Sequence, residues 1–138
     1  MPYRSRCPIN LAVEALGDRW TLLILRDMIF AGRRHFREIL SLSGEGISPA
    51  ILSDRLKRLT AEGFLTRQDD PTHAQKTIYS LTTKSVDLLP VIFALSEWGG
   101  QYYDADPAFL APPDMTDAQR TAALEGLRAR LIRDHGLA

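Results

Sequence analysis

Residues 46–63 read Gly46-Ile47-Ser48-Pro49-Ala50-Ile51-Leu52-Ser53-Asp54-Arg55-Leu56-Lys57-Arg58-Leu59-Thr60-Ala61-Glu62-Gly63. Ser is a favoured N-cap and Pro is pre-set for the first helical position, so Ser48-Pro49 opens a helix. Gly63 ends it. With Leu52 at zero and about 100° per residue, Leu56 and Leu59 fall within roughly 40° of it and form the buried stripe. The opposite side carries Ala50, Asp54, Lys57, Arg58 and Ala61, with Ser53 and Arg55 on the flanks.

Upstream, Pro8 to Leu16 reads as a short helix stopped by Gly17. Asp18 is a good N-cap for a second helix, whose Trp20, Leu23, Ile24 and Met28 follow helical spacing. After a break at residues 31–34, a third short helix runs from about His35 to Leu42. Ser43-Gly44-Glu45-Gly46 is a turn. Downstream, residues 64–68 and 77–81 have strand character, and the polar stretch 69–74 between them predicts a hairpin with a long tip. Lys84 to Trp98 reads as one helix with a wide apolar face, which implies burial against more than one neighbour. Pro90 inside it predicts a kink or a helix start. Residues 104–114 are Pro-rich. Thr116 and Gln119 form a capping box for a last helix to about Asp134. That helix has a narrow stripe, Leu124, Leu127 and Leu131, and Gly126 costs it about 1 kcal/mol relative to Ala. It must dock on something to be stable.

Helix, Gly-containing turn, helix and then hairpin is the order of a winged helix-turn-helix. In that arrangement the second helix enters the major groove of double-stranded DNA. Ser48, Pro49, Ala50, Ser53, Lys57 and Arg58 are expected to face the groove, and Arg55 and Arg34 to contact phosphates. Small residues at the helix start let the backbone approach, and its free N–H groups suit a phosphate. Asp54 either accepts from a cytosine amino group or pairs with Arg58. Residues 31–67 carry a local surplus of basic side chains, whereas the chain after Gln101 is mildly acidic. Charge alone fits a solvated helix face equally well; the turn before and the hairpin after favour DNA.

The 138 residues, with 17 Lys+Arg against 17 Asp+Glu, suit one compact domain with a tail. The longest near-apolar run, Leu88 to Leu95, is far short of the roughly 20 residues of a membrane span. The basic N-terminus is followed by no signal-peptide stretch, so a cytoplasmic protein is expected. One cysteine, Cys7, allows neither an intrachain disulfide nor a Cys-based zinc site. His35, His73 and His135 are scattered, and neither a metal nor a cofactor is expected. No Ser/His/Asp, Cys/His or paired-carboxylate arrangement converges, which argues against an enzyme. The alternative is a winged-helix module that uses the same surface to bind protein.

Several stretches together resemble the HxlR-type regulators, a bacterial winged-helix group similar to the MarR-like regulators. They are Cys7-Pro8, Trp20 to Arg26, Gly32 to Phe36, Gly46-Ile47-Ser48, and Leu52 with Arg55, Leu56 and Leu59. Gly63 to Arg67, Tyr79 to Thr82, Leu89-Pro90 and Trp98-Gly99 complete the set. The resemblance implies a mainly α fold with a small β-hairpin, a winged helix-turn-helix domain with N- and C-terminal dimerisation helices. It implies residues 1–103 as that domain; beyond the matched stretches, the prolines mark 104–115 as a linker and the capping box marks 116–138 as a helical extension. It further implies a homodimeric transcriptional regulator on a pseudo-palindromic operator, with Pro8 to Leu16 and Lys84 to Tyr102 as interface. The family's wing often has a Pro-Pro-Arg-type tip. Here the region is Thr72-His73-Ala74-Gln75-Lys76, so Lys76 keeps the basic role while Asp69 and Asp70 at the wing base oppose phosphate. Some relatives use a cysteine at the place of Cys7 as a redox sensor. Arg4, Arg6 and the helix start would favour its thiolate, and the alternative is a small residue packed at a helix start. Trp20, Phe93, Trp98, Tyr102 and Tyr103 are candidates for a small-effector pocket or, alternatively, for core and interface.

Overall fold

The computed structural model describes residues 3–137, the side chains of residues 73–75 excepted. Among the described residues, seven helices and one hairpin follow in the order α1 (Pro8–Leu16), α2 (Thr21–Phe30), α3 (Phe36–Leu42), α4 (Pro49–Ala61), β1 (Leu65–Asp70), β2 (His73–Leu81), α5 (Thr83–Val86), α6 (Leu89–Tyr102) and α7 (Asp117–Asp134), with a 3₁₀ turn at Pro107–Phe109. The fold is mainly helical, with a two-stranded antiparallel wing.

Ile24, Leu25, Met28 and Ile29 of α2 are buried and form the centre of the core. Asp18 caps this helix from one turn ahead, its carboxylate accepting from the amides of Trp20 at 2.8 Å and Thr21 at 3.0 Å. Leu52, Leu56 and Leu59 of α4 are buried against the same core, as the helix spacing predicts. Cutting any one to Ala would cost about 2–5 kcal/mol, because lost transfer energy and a cavity add. The Ser48 hydroxyl accepts from the Ile51 amide at 3.2 Å. At the other end Gly63 takes φ +80°, and Phe64 N–H reaches the Leu59 carbonyl at 2.9 Å. This left-handed stop needs a residue without Cβ and turns the chain straight into β1.

The wing pairs Leu65 with Leu81 through Asp69 with Thr77. Its strands are longer and its tip tighter than expected. Only Pro71-Thr72 separates the strands, and a register irregularity after Asp69 absorbs the difference. Asp70 explains the tight tip: its Oδ1 accepts from both the amide and the hydroxyl of Thr72, at 2.8 and 2.7 Å. Asp69 and Asp70 therefore lie at the wing tip and not at its base.

The single helix expected over residues 84–98 is two, α5 and α6, and the second runs on to Tyr102. Pro90 lies in the first turn of α6, where its missing N–H leaves no hydrogen bond unmade. The Thr116–Gln119 capping box is present. Helix α7 docks on its own chain, with Leu131 in the core and Leu124 and Leu127 packed beside it. Arg128 pairs with Asp87 at 2.6 Å, and Arg130 donates to the Ile29 carbonyl at 3.3 Å.

Candidate nucleic-acid interface

Helices α3 and α4, joined by the turn at Gly46 (φ +71°), form the helix-turn-helix, with the wing following directly. Along α4, Pro49, Ala50, Asp54, Lys57 and Ala61 are exposed and Ser53 is half-buried. This face is small at its N-terminal end, with Lys57 projecting farther along. The Ser48 hydroxyl is engaged in the cap, so what it offers outward is the helix start itself. Lys76, just beyond the wing tip, is exposed.

The arginines behave differently. Arg55 donates from Nε to Asp18 at 3.1 Å and from Nη1 to Asp54 at 2.6 Å. Asp54 thus pairs with its neighbour and not with Arg58. Arg58 points back to the end of α1, donating to the Glu14 carbonyl at 2.7 Å, with Asp18 at 3.7 Å and Glu62 at 3.6 Å. A guanidinium at a helix C-terminus also meets the negative end of the helix dipole. Asp18 is the node of this cluster. Burial alone would raise its carboxyl, but hydrogen bonds from the Thr21 hydroxyl, the Trp20 amide, Arg55 and the Thr21 amide outweigh it and hold it at about 2. Asp18 was legible as a cap. Its hold on α4, across 37 residues of chain, was not.

Arg34, expected as a phosphate contact, is committed inside the fold. It donates to the Tyr79 carbonyl at 3.0 Å, the Ser80 hydroxyl at 2.5 Å and the Asp134 carbonyl at 3.2 Å. Its half-buried guanidinium staples the loop before α3 to β2 and to the end of α7. Beside it, His35 bridges Glu38 and Asp70, a cluster that no local pattern in the sequence marks.

Cys7 is exposed at the start of α1. The amides of Asn10 and Ile9 lower its thiol pKa, so the helix start acts where Arg4 and Arg6 were also expected to. The five candidate pocket aromatics fall in three places. Trp98 packs at a tilt against Tyr102 and Tyr103, with centroids 5.6 and 5.8 Å apart; Phe93 meets Phe30 edge-on at 5.9 Å; Trp20 packs at the start of α2 beneath Arg19. None of the five lines the hollow beside α1, the one on α3 or the cleft between α2 and α7. Ile9 and Val13 of α1, and Val91, Leu95, Trp98 and Tyr102 of α6, are exposed apolar side chains. Among the described residues, no helix is long and apolar enough to cross a membrane.

A family model described as HxlR-like helix-turn-helix matches residues 15–107. YvaP of Bacillus subtilis, described as an uncharacterized HTH-type transcriptional regulator, is 35% identical over 111 residues, covering 80% of this chain and 99% of that protein. A Mycobacterium tuberculosis protein of the same description is 36% identical over 94 residues. That match covers 68% of this chain but only 58% of the relative. Among solved structures, the reduced form of the transcriptional regulator YodB from B. subtilis superposes with a TM-score of 0.60 at 33% identity, covering 74% of this chain and 100% of that one. The redox regulator HypR in its oxidized form gives a TM-score of 0.60 at 26% identity, covering 72% and 100%.

Proposed function

The chain belongs to the HxlR-like helix-turn-helix family of transcriptional regulators, and from that premise we propose that it binds a pseudo-palindromic operator as a homodimer. The observation that carries this reading is the open face of α4. Pro49, Ala50 and Ser53 stand outward in the first half of α4, and Lys57 follows one turn on, on a helix whose other side is core. Ala50 lets the backbone approach base edges, and Lys57 supplies charge for phosphate or guanine. Arg55 and Arg58 act from the flanks, held by Asp18, and Lys76 extends the contact through the wing. Arg34 serves this surface from behind, by fixing the wing against α7. The apolar faces of α1 and α6 provide the dimer contact, and two-fold symmetry sets two α4 helices about one DNA turn apart.

Control by oxidation is the finer part of the proposal. Cys7 is exposed and its thiolate favoured at the helix start. A peroxide would oxidise the thiolate to a sulfenic acid, and a second thiol would condense with it to a disulfide, releasing water. The second thiol is Cys7 of the other copy or a small cellular thiol.

Selection from a random duplex library, on reduced and peroxide-treated protein in parallel, tests both parts. An enriched inverted repeat, bound with steep salt dependence, is expected. No enrichment in either sample overturns operator binding. Identical enrichment in both, with Cys7 oxidised by mass spectrometry, overturns redox control.

A further inference from the structure

The wing is fastened at its tip by a histidine set between two carboxylates. His35 is the N-cap residue of α3. Its Nδ1 lies 2.5 Å from Glu38 Oε1, on the first turn of α3, and its Nε2 lies 2.7 Å from Asp70 Oδ2, at the end of β1. Asp70 is buried, at 8% exposure. Its other oxygen holds the tip turn through Thr72. One carboxylate therefore closes the tip and ties it to the helix-turn-helix.

Both ring nitrogens face carboxylate oxygens, and a carboxylate can only accept. The imidazolium has an N–H on each nitrogen and satisfies both. Neutral imidazole has one, so a lone pair would then point at an anion at less than 3 Å. The clamp is complete in only one protonation state.

We propose that His35 is a positioning residue for DNA binding: as an imidazolium it pins the wing tip to α3 through Asp70, and loss of its proton frees the wing and weakens operator affinity. This rests on the reading of α4 and the wing as the DNA-binding surface. Asp70 and then Glu38 raise the pKa of His35 above its ordinary 6.5. Asp70 itself is held far below the usual carboxylate range, first by the Thr72 hydroxyl, then by the Thr72 amide and His35. The charged groups around the clamp are Glu38 from α3, Asp70 from the wing, and Arg34 from the preceding loop, whose charge acts on Asp70. His73 is the register partner of Asp70. The sign follows from the raised value: the clamp is full below pH 6.5 and is lost as pH rises through the pKa of folded His35.

The test uses the full chain with its selected duplex at constant ionic strength. Wild-type affinity is expected to fall roughly five-fold from about pH 6 to about pH 9, with a midpoint above that of free imidazole. His35→Gln should bind more weakly at low pH and lose this dependence. His73→Gln should keep it, which separates the two histidines. His135 does not titrate in this window, since burial and then Arg34 hold it at about 4.

Imidazole ¹⁵N titration supplies a readout that needs no DNA. His35 should titrate above 6.5, the amides of Thr72 and Lys76 should follow with the same midpoint, and Asp70→Asn should lower it. A His35 midpoint at or below 6.5, wing amides that ignore it, or pH dependence surviving in His35→Gln overturns the proposal. If no duplex binds at any pH, the DNA-binding reading has failed; the wing amides then still decide whether the clamp exists.

Discussion

The two ends of the wing are each fastened by a histidine, in opposite ways. At the tip, exposed on one side to solvent, His35 sits between two carboxylates and is held by charge. At the base, half-buried His135 accepts the Leu81 amide on Nδ1 at 2.9 Å, and burial and Arg34 push its pKa down to about 4. The base is further locked by Arg34 and by Leu131 in the core. One end depends on a proton and the other on its absence. The difference teaches that charge state follows from the neighbours: a carboxylate partner recruits the proton, while a buried amide donor and a nearby guanidinium expel it.

The largest effect is expected where the base meets the core. Leu131→Ala should destabilise the protein by about 2–5 kcal/mol and release α7, read by denaturant unfolding and by hydrogen exchange of residues 117–134. Little loss would mean that the tail does not hold the base. Next comes Arg34→Gln, which deletes donors to Tyr79, Ser80 and Asp134. A cost of roughly 2 kcal/mol is expected, because hydrogen bonds from a charged group exceed neutral ones.

The pH dependence of stability sharpens the comparison directly. For His135 the folded pKa is depressed, so its contribution is full above 6.5 and is lost as pH falls toward about 4. For His35 the folded pKa is raised, so its contribution is full below 6.5 and is lost on the alkaline side. Melting temperatures of His135→Gln should flatten the acid limb of the wild-type profile, and those of His35→Gln the alkaline limb. Both limbs surviving in both variants would break the comparison.

The smallest stability effect belongs to Lys57, which touches neither end. Lys57→Ala should change stability by less than about 0.5 kcal/mol yet reduce the slope of log affinity against log salt by about 1. An unchanged slope would remove Lys57 from the phosphate contacts.

Much of this architecture was legible locally. The Ser48 cap, the leucine stripe of α4, the stop at Gly63 and the capping box at Thr116 each lie within a few residues of chain. Helical caps and periodicity are properties of neighbours, so the sequence displays them. The tight tip is not legible there, because residues 69–74 have the composition of an open loop and only the fold shows Asp70 closing on Thr72. Pro90 by itself allows either a kink or a helix start nearby, and the packing of α5 and α6 settles on a start.

The side chains of the interface divide in the same way. By itself the sequence determined which helix presents small residues and Lys57 outward, because the apolar period decides which face is left over. Only the tertiary structure decided what Arg34, Arg55, Arg58 and His35 do. Their partners lie 35 or more residues away at Asp70, Tyr79, Asp18 and Glu14, and a long charged side chain takes whichever carbonyl or carboxylate the packed core brings within reach.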